Sequence, residues 1–131
     1  MTCNAGTETT GPVVRTTLSD LRIGAGRTAR FDGADFGAGA SFFMVEADPG
    51  TGPSLHVHEY SETWAVLAGA GRFSAAGAEH DAIPGDVLVV PPRTPHRFVS
   101  AGHAPLQMVC IHASPRIEQE FVRPREGNQG N

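Results

Sequence analysis

Apolar residues in this chain come in short runs dominated by β-branched and aromatic side chains, and glycine or proline interrupts them every few positions. "ARFD" (29–32), "SFFMVEA" (41–47), "SLHVH" (54–58), "TWAVLA" (63–68), "RFSAA" (72–76), "DVLVV" (86–90), "HRFVS" (96–100) and "LQMVCIHA" (106–113) all read as β-strands. The stretches between them, "DPGTGP", "AGAG", "IPGD", "PPRTP" and "SAGHAP", are turn sequences. Nothing before residue 114 repeats convincingly with a helical period. At Ser114–Pro115 a capping side chain precedes a proline suited to a first turn, which predicts a short helix running to about Val122. Many short strands at close spacing predict an all-β sandwich or barrel.

A length of 131 residues fits one domain, placed here at residues 13–122. The Thr/Gly-rich residues 1–12 are expected to form a flexible arm, and residues 123–131 a polar tail ending in "REGNQGN". With 40% hydrophobic and 18% charged residues the composition is globular. The net charge of −4, with no basic run, argues against a nucleic-acid partner. No apolar stretch approaches the ~20 residues of a membrane span. The N-terminus lacks the basic and apolar segments of a signal peptide, so a soluble cytoplasmic protein is expected. Cys3 and Cys110 make no disulfide framework, and Cys110, in an apolar run, reads as a buried thiol.

The chemistry concentrates in "LHVHEYSE" (55–62), which holds two of the chain's 6 histidines. Residues two apart on a strand face the same side with Cα atoms ~6.6 Å apart. Two imidazoles at that spacing can lean onto one ion at ~2.0–2.1 Å, which makes His56 and His58 a candidate ligand pair. Glu62 can approach the same point from the start of the next strand, after a bend at "EYS". Glu59 has the opposite parity to His58 and is expected to be solvated. A polar patch without metal is the alternative.

The longer spacing is more specific. Gly50, His56, His58, Glu62 and Gly69 are separated by five, one, three and six residues. Further on, Gly85, Pro91, Arg93, His96 and Ser100 are separated by five, one, two and three. Together these resemble the two motifs of the cupin superfamily, with a compact spacer typical of small bacterial cupins. The family usually has glycine where Arg93 stands and asparagine where Ser100 stands. The resemblance, running from about residue 40 to 113, implies a double-stranded β-helix (jelly-roll) barrel, usually a homodimer, holding one divalent metal ion. Carried over position by position, it implies the ligands His56, His58, Glu62 and His96. Mixed imidazole and carboxylate donors suit Fe, Mn, Ni, Cu, Co or Zn.

Parity extends the site. Phe98 shares a face with His96, and Trp64 and Val66 share the face of Glu62. The last strand puts Met108, Cys110 and His112 on one face and Gln107, Val109 and Ile111 on the other. With the Met108 face inward, Trp64, Phe98, Met108, Cys110 and Met44 are expected to wall a substrate pocket. His112, near the mouth, is then a candidate general acid or base; a single structural hydrogen bond at a strand end is the alternative. Phe42, Phe73 and Leu88 read as core or wall, Tyr60 as a turn residue, and His80 and His103 as exposed loop residues.

Four protein ligands leave one or two positions open to substrate or dioxygen. A metal-bound Glu62 that loosens from the ion is a candidate proton acceptor. The expected function is a metal-dependent enzyme acting on a compact organic or aromatic small molecule, with dioxygenase chemistry foremost. Isomerase, cyclase or lyase chemistry, or a non-catalytic metal- and ligand-binding module, are the alternatives.

Overall fold

The computed structural model describes residues 11–122. The expected tail at 123–131 and all but the last two residues of the expected arm at 1–12 lie outside them. Strands β1 (Ala29–Phe31), β2 (Ser41–Ala47), β3 (His56–Val57), β4 (Glu62–Ala68), β5 (Gly71–Ala75), β6 (Ala78–Ala82), β7 (Val87–Val90), β8 (His96–Ser100), β9 (Leu106–His112) and β10 (Glu120–Phe121) follow in chain order, with a 3-10 turn at Gly33–Phe36. They form two antiparallel five-stranded sheets, β1-β2-β9-β4-β7 and β10-β3-β8-β5-β6. The all-β, double-sheet expectation therefore holds.

Alternation decides which side chains enter the space between the sheets. Along β9, Leu106, Met108, Cys110 and His112 are buried while Gln107 and Ile111 face out. Glu62, Trp64 and Val66 on β4, and His96, Phe98 and Ser100 on β8, follow the same period. Trp64 of one sheet meets Phe73 of the other with ring centroids 4.8 Å apart, and Leu106 and Met108 complete an apolar floor. At roughly 1.5–3 kcal/mol per fully buried large side chain, this floor is the main stabilising element of the fold.

Three local expectations need correction. No helix forms over 114–122; the segment is a strap ending in β10. Ser114 Oγ accepts from Arg116 N–H, closing a local turn instead of capping a helix. The strap's backbone finds partners on the barrel: Ile117 N–H donates to Asp32 Oδ1 and Val122 N–H to Leu55 O. Second, His80 lies in strand β6, not a loop. That strand is nearly all exposed, so no hydrophobic alternation announced it. It forms because Ala76 and Gly77 both take positive φ (54° and 81°), the geometry of a two-residue hairpin turn. Third, Met44 is not a pocket residue. Its Cα partner is Val109, on the outward row, whereas Phe43 beside it pairs with Cys110 on the inward row.

The turn before β8 keeps a glycine-like shape without glycine. Arg93 adopts φ 58°, the left-handed region, and its N–H donates to His58 O. A non-glycine residue there costs about 1–2 kcal/mol. The Arg93–Glu59 ion pair, 3.7 Å long and exposed, offsets little of it. Arg93→Gly is therefore expected to stabilise the protein by about 0.5–1 kcal/mol, allowing for glycine's greater freedom when unfolded. Thermal melting checks this, and a lowered melting temperature would contradict it.

Candidate metal centre

Both sheets build the centre. β3 and β8 pair so that His56 and His96 are direct cross-strand partners, and His58 follows at the end of β3. From the other sheet, Glu62 at the start of β4 is the cross-strand partner of His112 at the end of β9. All five side chains are buried, none more than 5% exposed. Ligating atoms of His56, Glu62 and His96 lie within 4.8 Å of one another, as do those of His58, Glu62 and His112.

The ring nitrogens are oriented by backbone. Nδ1 of His56 sits 2.7 Å from Ser54 O, Nδ1 of His58 2.8 Å from Tyr60 O, and Nδ1 of His96 2.7 Å from Thr94 O. A carbonyl only accepts, so each Nδ1 carries the proton and each neutral ring turns a bare lone pair inward at Nε2. For His58 and His96 that lone pair points at Glu62 Oε1, 2.9 and 3.0 Å away. Lone pairs facing an anionic oxygen at that distance require positive charge between them. Extra protons would turn both buried rings into imidazolium, whereas one divalent cation does the same with a single particle. Ligands about 2.1 Å from an ion and at right angles lie about 3 Å apart, which matches these separations. The residues fit a divalent metal, and the donor set does not choose among Fe, Mn, Ni, Cu, Co and Zn.

Electrostatics agree. Burial lowers the pKa of His56, and the neighbouring His96 and His58 add to this, outweighing the hydrogen bond to Ser54 O. A depressed imidazole pKa keeps the ring in its metal-binding form. Burial alone would push the Glu62 carboxyl up; when no cation is bound and the His112, His58 and His96 rings carry a proton toward it, their hydrogen bonds overcome this and hold it well below the usual carboxylate range. Glu62 Oε2 accepts from Trp64 Nε1–H at 2.7 Å, which leaves Oε1 for the ring side of the cluster.

A cavity of about 650 Å³ opens over the cluster. His56, Glu62 and His112 reach it, with Phe98 and Cys110 of the expected pocket set. Trp64 and Met108 lie in the apolar core instead. Burial pushes the Cys110 thiol well up, so it stays neutral. His112 is inward: Nε2 is 3.5 Å from Glu62 Oε2 and Nδ1 is 2.7 Å from the Tyr60 hydroxyl. Sequence reasoning missed two neighbours. Tyr60 stacks on His58 with centroids 4.3 Å apart and its hydroxyl accepts from Glu118 N–H. Its ring follows a bend where no strand parity applies. Arg30 lines the cavity from β1, and inward parity with Phe43 across the β1–β2 pair is the signal that could have found it.

The cupin domain family matches residues 43–112, just over half the chain, and the protein belongs to that family. An uncharacterized protein of Methanocaldococcus jannaschii is 31% identical over 67 residues, covering 50% of this chain and 54% of that one. The matched region thus spans about half the length of that curated relative. Among solved structures, an oxalate decarboxylase–formate complex from Lactobacillus farciminis superposes with a TM-score of 0.69 and 25% identity, over 79% of this chain and 34% of that chain. An uncharacterized double-stranded β-helix protein from Klebsiella pneumoniae superposes with a TM-score of 0.66 and 19% identity, over 84% and 97% of the two chains. Among the described residues no helix is long and apolar enough to cross a membrane.

Trp64 holds Glu62 from behind without reaching the cavity. Trp64→Phe removes the Nε1–H and keeps most of the packing. Metal affinity is expected to fall about 10–100-fold, the usual effect of losing a hydrogen bond to a ligand. Competition titration against a chromogenic chelator reads this, and unchanged affinity would show that the indole only fills space.

Proposed function

We propose that this protein is a metal-dependent cupin enzyme acting on a compact organic substrate, with chemistry of the dioxygenase type. The carrying observation is that the donor cluster opens to one side: His56, Glu62 and His112 belong both to the cluster and to the cavity wall. His56, His58, Glu62 and His96 would hold the ion; of these, His56 and Glu62 line the cavity while His58 and His96 stand behind them. Such an ion supplies a Lewis-acid centre and, where redox-active, electron transfer toward dioxygen. The chain's residues supply the rest. Phe43, Val45 and Phe98 shield a substrate from water, and the resemblance of the barrel to an oxalate decarboxylase adds support for a small organic molecule.

Proton handling falls to His112 rather than Glu62. Trp64 Nε1–H fixes the second oxygen of Glu62, and the His58 and His96 rings crowd the first. The Tyr60 hydroxyl stands 2.7 Å from His112 Nδ1 and 3.1 Å from Glu118 O. It can donate to either, so His112 keeps a hydrogen bond at Nδ1 whether Nε2 gives or takes a proton. Burial raises the Tyr60 pKa, so the phenol stays protonated. This pair also favours a second reading, isomerase, cyclase or lyase chemistry, which needs proton transfer and no dioxygen. Oxygen-uptake screening against aromatic substrates separates the two.

We also propose a homodimer. Val87 and Val89 on edge strand β7 are 64% and 65% exposed, and their β4 partners lie beside Val109 and Ile111. The resulting apolar outer face is better covered than wet.

Purified protein is expected to carry about one metal ion per subunit. His56→Ala or His96→Ala should collapse that content; full occupancy in the double variant of His56 and His58 to alanine would sink the assignment. Acid should release the metal through the imidazoles. The lowered His56 pKa delays protonation of that ring, and Glu62 stays ionised, so loss sets in below about pH 6.5. Retention down to carboxylate pH would contradict this. His112→Gln is expected to cut turnover ~10²–10⁴-fold with metal content intact. A binding module would show changed ligand affinity and no turnover at all.

A further inference from the structure

We propose that Arg30 is a carboxylate anchor and that the cavity takes a monoanionic acid with an apolar body; this names the substrate class of the site described under the proposed function and rests on that reading. Arg30 is the only arginine or lysine in the cavity wall among the described residues. Its head is already ordered. Nε donates to Asp32 Oδ2 at 2.8 Å, Nη2 donates to Ile117 O at 3.2 Å, and the guanidinium carbon lies 5.7 Å from the centroid of the Phe43 ring. Nη1 has no hydrogen-bond partner among the described residues. Asp32 and the strap thus grip one edge of the fork and leave the other for a ligand. An arginine held in this way loses little side-chain freedom on binding, which favours the forked recognition of a carboxylate.

The acidic groups of the wall do not compete for that edge. Glu46 and Asp48 are engaged by Arg27, at 2.6 and 3.3 Å, and Glu62 is engaged by the histidine cluster and Trp64. The geometry also sets a distance. One ring is in reach of both groups: the Phe43 centroid lies 5.7 Å from the guanidinium carbon and 5.5 Å from the His112 imidazole, so the two are at most about 11 Å apart. A molecule anchored at Arg30 lays its body along Phe43, with Val45, Phe98 and Phe121 around it, and presents its far end to the metal centre. The body is therefore apolar and about one aromatic ring long.

Benzoate and its neutral counterpart benzamide test this by calorimetric titration of metal-loaded protein. Benzoate is expected to bind at least about tenfold tighter than benzamide. Arg30→Gln should weaken benzoate about 10–100-fold, leave benzamide within about threefold, and leave metal content unchanged. Asp32→Asn keeps the arginine and removes its competing carboxylate, so benzoate affinity should hold or rise. Unchanged benzoate affinity in Arg30→Gln would overturn the proposal, since the carboxylate would then sit elsewhere, including on the metal. Equal weakening in Asp32→Asn and Arg30→Gln would also overturn it, because the pair would then matter only for seating the strap. Failure of the metal reading is distinguishable: it appears as absent metal in the wild-type protein, while the contrast between benzoate and benzamide remains measurable.

Discussion

The constraint on which this molecule turns is a buried carboxylate faced by imidazole lone pairs. Glu62 is 2% exposed, and the rings of His58 and His96 reach its Oε1 with nitrogens whose protons are committed elsewhere. In water such a cluster would fly apart or take up protons. Inside the barrel it persists because each ring is tied at Nδ1 to a carbonyl two residues away, and the carboxylate is tied at Oε2 to Trp64. A divalent cation would resolve the remaining imbalance. The fold supplies the cage, and a bound metal would supply the charge that makes the cage favourable.

That cage needs both sheets in register. His56 opposite His96, and Glu62 opposite His112, are pairings in which a one-residue slip would turn a ligand to the outside. The apolar floor below guards the register, since the strands carrying Glu62, His96 and His112 also carry Trp64, Phe98 and Met108 into the core. Gly69 contributes at the end of β4. Its φ is +76°, and a Cβ there would meet Pro105 O, so the chain can pass close to the start of β9 only without a side chain.

Much of this was legible in the sequence, for a definite reason. Strand parity is a two-residue rule, so Phe98 with His96, and Met108 with Cys110 and His112, were placed on common faces from spacing alone. Where the chain leaves regular pleating, parity says nothing. Tyr60 lies on the bend between β3 and β4, and only the folded chain brings its hydroxyl to His112, 52 positions on. Met44 failed because inward and outward rows of β2 are both apolar, Phe43 and Val45 against Phe42 and Met44, and composition cannot choose between them. The strap after Ser114 failed because its serine and proline suit either a helix start or a turn. Partners distant in sequence, Asp32 and Leu55, settled the choice. Strand β6 is apolar only at its ends, and a backbone turn brings it to β5.

The four cluster histidines are not equivalent, and the difference lies in what each Nδ1 touches. A backbone carbonyl cannot donate, so His56, His58 and His96 are locked as inward acceptors at Nε2, the form a metal needs. His112 touches a hydroxyl instead, which both donates and accepts. Its tautomer is therefore free to change at little cost, while its ring is held in place by Phe43 and His58. Three rings are fixed at Nδ1 by carbonyls and the fourth faces a hydroxyl, a difference written in hydrogen-bond partners. It follows from the position of one tyrosine, whose hydroxyl is itself held by the backbone of Glu118 on the strap.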